Sequence, residues 1–569
     1  MRIAKHVVMV GDRRVHYLRA GTGPALVLLH ASACSAKVMR PLIDVFAERF
    51  TVIAPDTPGF GLSDKLALTQ PTIADLADAL AQTLDVLGIA HTAVYGRHTG
   101  ASIAVEFAAR HPTRCAMALT DGYPILSGDY DEARIAAYLQ PIVPSWDGTH
   151  LVWLWFRYRD QHVFWPWNAQ TLAARADTDV PDLDFLHRGV VEFLEAGNDY
   201  RLGYAAAFRH DGLEAFGRLK VPVCFGTRQG DWLHRQVPLY PAGTWHEEMP
   251  RDAPAAARRE SEILLRHPAR SAAPPAPRCA TSAGRTTLDY VDIGDAHLLV
   301  RSIGRLDSET APVLVLHHAP GSSALYDDLI RAIGAARPAL AVDLPGHGES
   351  DPLPGNPQAV ETWAAAVQRA LAALGIGRVH LYGHNAGATL AVELARRDPA
   401  RVATLILDAP IALDDSQRAD FLARYAPDIT PTWEGAHLLR AWHHARDQEL
   451  WWPWFDRRRE AIRTAPPRID PEALTVRVLE CLKQPASYTP AWRTTLAYPM
   501  TERLRDLPGP LALMGAASDV FAPVLAVARA ARPTATVLHV EDSPASRAET
   551  MIRWLSDSAR QDTSESQGA

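Results

Sequence analysis

The sequence repeats itself once, at a constant spacing of 287 residues. His30-Ala31, after the run ALVLLH, matches His317-His318 after VLVLHH. Asp56-Thr57-Pro58-Gly59-Phe60-Gly61 matches Asp343-Leu344-Pro345-Gly346-His347-Gly348. Gly96-Arg97-His98-Thr99-Gly100 matches Gly383-His384-Asn385-Ala386-Gly387, and Asp121 matches Asp408. The shared offset leaves no net insertion between these points. Stacked repeats have periods of roughly 20–50 residues, so this one is a duplicated domain.

Within each half, short apolar runs alternate with helical patterns. The first half offers ALVLLH, FTVIAP, TAVYG, CAMALTD and VPVCFG as strands; the second offers VLVLHH, ALAVDLP, RVHLYGH, ATLILDA and GPLALMG. Between them lie stretches such as ADLADALAQTLDVLG, with apolar residues at helical spacing. Alternation of this kind predicts a doubly wound, mostly parallel sheet with helices on both faces. Two stretches interrupt it, about 122–215 and about 409–495, and both read as helical cap insertions after the sixth strand. The expected division is a domain over 1–266, a Pro-, Ala- and Ser-rich linker over 267–286, a second domain over 287–556, and a polar, disordered tail over 557–569.

Composition narrows the function classes. Of 569 residues, 47% are hydrophobic and 22% charged, with a net charge of -7, as in an ordinary soluble protein with large cores. A mildly acidic balance gives no basic surface for phosphates, so nucleic acid is not an expected partner. No apolar run approaches the roughly 18 residues that cross a bilayer, and no apolar leader precedes a small-residue cleavage site. The expectation is a cytoplasmic protein with no membrane partner. The five cysteines, Cys34, Cys115, Cys224, Cys279 and Cys481, are too widely spaced for a zinc-finger pattern. They read as reduced thiols, the first three as small core residues.

The strand-ending His-Ala and His-His turns, the run DLPGHGESD at 343–351 and the G-x-x-x-G turns resemble the α/β-hydrolase superfamily. The resemblance covers nearly all of both halves and implies two tandem α/β-hydrolase domains. In this family a strained strand–turn–helix elbow, G-x-S-x-G, carries the nucleophile. Here Tyr95-Gly96 leads in and Gly100-Ala101 follows, then Tyr382-Gly383 and Gly387-Ala388, but the tips are His98 and Asn385. An asparagine amide is no nucleophile, so the second half is not expected to form an acyl-enzyme. Histidine can serve as base, acid or donor, or simply fill a dead pocket.

Further site residues follow from the same resemblance. The family acid falls on Asp231 and Asp519, each of which also reads as a helix N-cap. The Gly-His that the family normally carries after the last strand occurs in neither half, and His246 and His539 lie slightly too early, which leaves the family histidine absent from the second half and open in the first. Backbone N–H groups of Ser32 and Thr99, and of Ala319 and Ala386, match the oxyanion hole. His30 lies near the elbow in sequence space, with His317 as its counterpart.

The insertions also match each other. Nine of eighteen positions are identical between 150–167 and 437–454. His150, Trp155, Arg159 and Trp165 are therefore candidate substrate contacts, with His437 and Arg446 among their second-half counterparts. An arginine there can grip a carboxylate bidentately, or pair internally with the adjacent aspartate while the tryptophans form the insertion's core. His30, His98 and His150 lack metal-ligand spacing, and neither metal nor cofactor is expected.

Two functions stay open. One is an enzyme acting on a small carbonyl- or ester-type molecule, by hydrolysis or a lyase-type reaction. In it His98 is base or acid, Asp231 orients, His30 and His150 stand nearby, and the second half is degenerate. The other is a non-catalytic tandem pseudo-hydrolase that binds small ligands or acts as a scaffold. Both leave homo-oligomerisation open.

Overall fold

A computed structural model describes residues 2–126, 130–280, 284–307 and 310–567, with side chains through 558. Among the described residues sixteen strands form two eight-stranded sheets. In the first half they are β1 (Ala4–Val10), β2 (Arg13–Ala20), β3 (Ala25–Leu29), β4 (Thr51–Pro55), β5 (Thr92–Arg97), β6 (Cys115–Asp121), β7 (Val223–Arg228) and β8 (His246–Met249). In the second they are β9 (Thr287–Asp292), β10 (His297–Ile303), β11 (Val313–Leu316), β12 (Ala339–Val342), β13 (Val379–His384), β14 (Val402–Asp408), β15 (Leu511–Gly515) and β16 (Thr536–His539). All ten strands expected from the apolar runs are present. The hairpins β1–β2 and β9–β10 are additions to that reading.

The two sheets have the same order. The first runs β1-β2-β4-β3-β5-β6-β7-β8 and the second β9-β10-β12-β11-β13-β14-β15-β16. β2 runs antiparallel to both of its neighbours, β1 and β4, and β3 through β8 are mutually parallel. β3 pairs with β4 on one side and β5 on the other. The winding therefore reverses there, and the loops after β3 and β5 splay apart at their carboxyl ends, where open α/β sheets bind ligands. β11 and β13 make the same switch point in the second half.

Central strands buried on both faces explain the continuous apolar runs. β3 is buried along its whole length, as are β4 and β11. One face of the first sheet packs a cluster with Leu76, Leu80, Ile103 and Phe107, the other a cluster with Met39, Phe46, Ile263 and Leu264. Cys34, Cys115 and Cys224 are buried. Helix Ile73–Val86 starts at a capping box in which Thr72 and Asp75 satisfy each other's backbone N–H groups. No helix among the described residues is long and apolar enough to cross a membrane.

Helical insertions occupy the stretch between β6 and β7 and that between β14 and β15. The compact units are Met1–Val143 with Trp153–Ala280, and Pro144–Val152 with Thr281–Ala569. The first unit thus runs past residue 266, into the stretch read as a linker. Backbone bonding explains it: Ala25 N–H donates to Ser271 O at 3.1 Å, and Arg19 Nη2 donates to Ala273 O at 3.2 Å. The tail expected to be disordered continues the last helix, Pro544–Gln567, because extending a formed helix costs little compared with starting one; 568–569 lie outside the described residues.

Candidate active site

The elbow is set by backbone crowding. His98 has φ 48 and ψ -110, and Asn385 has φ 50 and ψ -113, conformations that side-chain-bearing residues rarely adopt. A Cβ on Gly96 would lie 2.0 Å from Gly100 O, and one on Gly100 would lie 2.3 Å from Leu29 O. Gly383 and Gly387 are equally enclosed, with distances of 2.4 Å to Gly387 O and 2.1 Å to Leu316 O. The G-x-x-x-G pattern is therefore the footprint of a helix pressed onto β3 or β11. It lifts residue 98 or 385 out of the turn.

In the first half His98 Nε2 lies 2.9 Å from Asp231 Oδ2. Asp231 follows β7, and its other oxygen, Oδ1, accepts from Leu233 N–H at 2.9 Å as the N-cap of the 3-10 turn Trp232–Leu239. One carboxylate thus both meets the His98 ring and caps the following turn. Burial would raise its pKa, but the His98 ring, the Leu233 N–H and Arg97 hold it well below the usual carboxylate range. It is an anion facing an imidazole that is 41% exposed and open to a reactant. Gly122 makes room for the ring; a Cβ there would sit 2.9 Å from His98 Cδ2. Behind the elbow, Asp121 accepts from Arg228 Nε at 3.0 Å, and Arg228 Nη2 donates to Glu260 at 3.0 Å.

The other residues singled out from the sequence are placed differently. His30 has both ring nitrogens in backbone hydrogen bonds: Nδ1 lies 2.9 Å from Ala31 O and Nε2 accepts from Thr57 N–H at 2.8 Å. It ties the end of β3 to the D-x-P-G turn, as His317 does with His318 O and Leu344 N–H. Trp155 is fully buried in the insertion. Trp165 packs on Phe208 and Trp232, the latter next to Asp231. Arg159 pairs with Asp160 at 3.4 Å and stacks on Phe156; Arg446 pairs with Asp447 at 2.9 Å. His150 and His437 each accept a backbone N–H at 3.2 Å, from Ser145 and Thr432. His150 belongs to the segment that packs with the second unit, where its Nε2 lies 3.0 Å from Thr475 Oγ1. His246 lies 2.8 Å from Thr227 Oγ1, on β7.

The first half also holds two groups the sequence did not single out. Buried Arg157 lies over the rings of Tyr138, Trp167 and Phe193. His162 is held at about 4, chiefly by burial and then by the charges of Arg97 and His98.

The second half builds its own site around a cavity of about 530 Å³. Here the histidine stands one residue before the elbow tip. His384 Nε2 lies 2.8 Å from Asp519 Oδ2, and Asn385 Nδ2 donates to the same oxygen at 3.3 Å. Asp519 also caps the following turn through Phe521 N–H at 2.7 Å. Behind the elbow Asp408 accepts from Tyr382 OH at 2.6 Å and from Arg547 Nε at 2.7 Å. The backbone N–H groups of Ala319 and Ala386 have no hydrogen-bond partner among the described residues. His318, Tyr326 and Arg477 line the cavity, and none of them stood out in the sequence. The available signal was a difference between the halves: at the 287-residue offset these two elbow neighbours and His384 replace Ala31, Met39 and Arg97.

Comparison with known proteins agrees with this architecture. A family model described as the alpha/beta hydrolase fold matches residues 24–145 and 311–439. The chain is 39% identical over 106 residues to a soluble epoxide hydrolase of Corynebacterium sp. (strain C12), covering 19% of this chain and 37% of that one. It is 40% identical over 119 residues to a 2-hydroxy-6-oxononadienedioate/2-hydroxy-6-oxononatrienedioate hydrolase of Burkholderia vietnamiensis, covering 20% and 41%. Each match spans less than half of the relative's length. Among solved structures, a thermophilic esterase from Thermogutta terrifontis superposes with a TM-score of 0.38 at 19% identity, covering 48% of this chain and 99% of that one.

Proposed function

Because the chain is a tandem pair of α/β-hydrolase-fold domains, we propose that it is an enzyme whose first half works by general acid–base catalysis from His98 and Asp231, without a covalent acyl intermediate. The observation that carries this reading is the same contact made twice from different positions. His98 at the tip meets Asp231 at 2.9 Å, and His384 before the tip meets Asp519 at 2.8 Å. A decayed elbow has no reason to keep a ring on the carboxylate in both halves.

The chemistry follows from the groups present. An ionised Asp231 fixes the His98 tautomer with Nε2–H toward the carboxylate, leaving Nδ1 with its lone pair. That nitrogen takes a proton from water, which attacks a small ester- or carbonyl-type substrate. The resulting imidazolium is stabilised by Asp231 and returns the proton to the leaving group. The N–H groups of Ser32 and Thr99 are the proposed donors to the developing oxyanion. Trp165, beside Trp232, is the proposed apolar wall. Arg159 remains the proposed carboxylate contact of this pocket only if its pairing with Asp160 opens. The second half is degenerate as an acyl-transfer enzyme, since Asn385 offers no nucleophile.

The test is a screen of small esters, lactones and epoxides on the wild type and His98→Ala. General-base loss predicts a drop of roughly 10²-fold or more in kcat/KM. Equal turnover by both proteins removes His98 from the mechanism.

A further inference from the structure

Four groups in the second half form one continuous hydrogen-bonded chain. Asp519 Oδ2 lies 2.8 Å from His384 Nε2; His384 Nδ1 lies 3.0 Å from Tyr326 OH; Tyr326 OH lies 2.9 Å from His318 Nδ1. The chain ends at His318, which lines the cavity and whose Nε2 is the remaining ring nitrogen among these groups. Three of the four groups have no counterpart in the first half, where Ala31, Met39 and Arg97 stand instead. Positions that differ between otherwise matched turns thus meet one another in the second half.

We propose that the second half is a separate proton-transfer site for an aryl hydroxyl compound, in which His318 takes the hydroxyl proton and Tyr326 relays the charge to His384, where the Asp519 carboxylate stabilises it. The Asn385 amide nitrogen also stands 2.7 Å from His384 Nε2; with the Nε2 proton held by the Asp519 carboxylate instead, the directions along the rest of the chain allow it. At rest His384 Nε2–H donates to Asp519, Tyr326 O–H donates to His384 Nδ1, and His318 Nδ1–H donates to Tyr326 O. When a ligand O–H bond breaks, an N–H bond forms at His318 Nε2. The His318 Nδ1 proton moves to Tyr326 O, and the former Tyr326 proton moves to His384 Nδ1. One proton has left the ligand, leaving an aryloxide, and the positive charge rests on His384 against Asp519.

The ligand class follows from base strength and walls. Neutral imidazole cannot ionise an alcohol or an amide to any useful extent, whereas a phenol, at about 10 like tyrosine, is within its reach. Trp492, Phe521 and Tyr488 supply an aromatic lining for the ring. Arg477 also lines the cavity, and its guanidinium is only partly occupied, by Gln448 at 3.2 Å and Glu449 at 3.6 Å; it is the proposed partner of the aryloxide. Burial, then the charges of His384, Arg477, His317 and His347, keep His318 itself well below the ordinary histidine pKa. It therefore passes a proton on instead of storing it, and the relay is needed.

This inference rests on the proton-transfer reading of the elbow His–Asp pairs, but not on ester turnover. The probe is 4-nitrophenol, whose neutral and ionised forms absorb at separate wavelengths. It is titrated into the full chain carrying His98→Ala, below the free probe's pKa, with calorimetry reading binding and absorbance reading ionisation. The expected result is binding with appearance of the phenolate band. Adding Tyr326→Phe or His384→Gln keeps binding and loses the band. Failure to bind, binding of the neutral form alone, or a band that survives in both relay variants overturns the proposal. So does loss of binding in both variants, because the aromatic walls are untouched. A protein inert to esters can still pass this test, and one that hydrolyses them through His98 can still fail it.

Discussion

Glu192 accepts from Ser35 N–H at 2.5 Å beneath the switch point of the first sheet, with Lys37 and Glu195 close by and Asp56 beyond. Burial raises its pKa to about 8, with Lys37 opposing and Glu195 and Asp56 adding to the rise. In the unfolded chain the group ionises near 4.5, as an exposed glutamate does. A carboxyl that is neutral when folded contributes stability that is fully present below about 4.5 and is lost as pH rises toward about 8. Glu192→Gln is therefore expected to flatten the decline in unfolding free energy across that window, read from denaturant melts at a series of pH values. An unchanged slope means that Glu192 is ionised in the folded protein. Asp231 offers a complementary separation, since its two oxygens serve different tasks. Asn is as good an N-cap as Asp, so Asp231→Asn is expected to keep stability within about 1 kcal/mol while activity falls roughly 10²-fold. Equal losses of fold and activity would make it a cap alone.

At the level of elements, the strands and the elbows were legible because buried parallel strands need unbroken apolar runs and a helix pressed on a strand needs glycine. Gly100 and Gly387 show this directly, with room for no Cβ between helix and β3 or β11. Gly100→Ala is expected to destabilise the first unit by about 2–3 kcal/mol through overpacking against backbone, seen as a lowered denaturant midpoint; no shift would mean the helix can retreat. The contacts around the tips were less legible. Tyr326 and His318 lie eight residues apart in a loop and a 3-10 turn, and His384 reads as a strand end. Only their meeting in space gives them a joint role, and periodicity carries no information about that. His30 shows the converse: its position beside the elbow suggested chemistry, whereas both ring nitrogens are committed to backbone.

For the whole molecule, duplication has kept one scaffold and let two sites diverge. The sheets share their strand order, and the elbows share their backbone angles to within a few degrees. The repeat was visible in the sequence because glycines and turn aspartates answer to backbone geometry, which both halves retain. The site chemistry was only half visible, because the histidine that meets the carboxylate moved from the tip to the residue before it. On the proposed mechanism neither half forms a covalent intermediate. Intact-protein mass spectrometry during steady hydrolysis of a small ester tests this most directly. An unmodified mass throughout turnover is expected, with product formation linear from the start. An acyl adduct on either half, or a burst equal to the protein concentration, would contradict it.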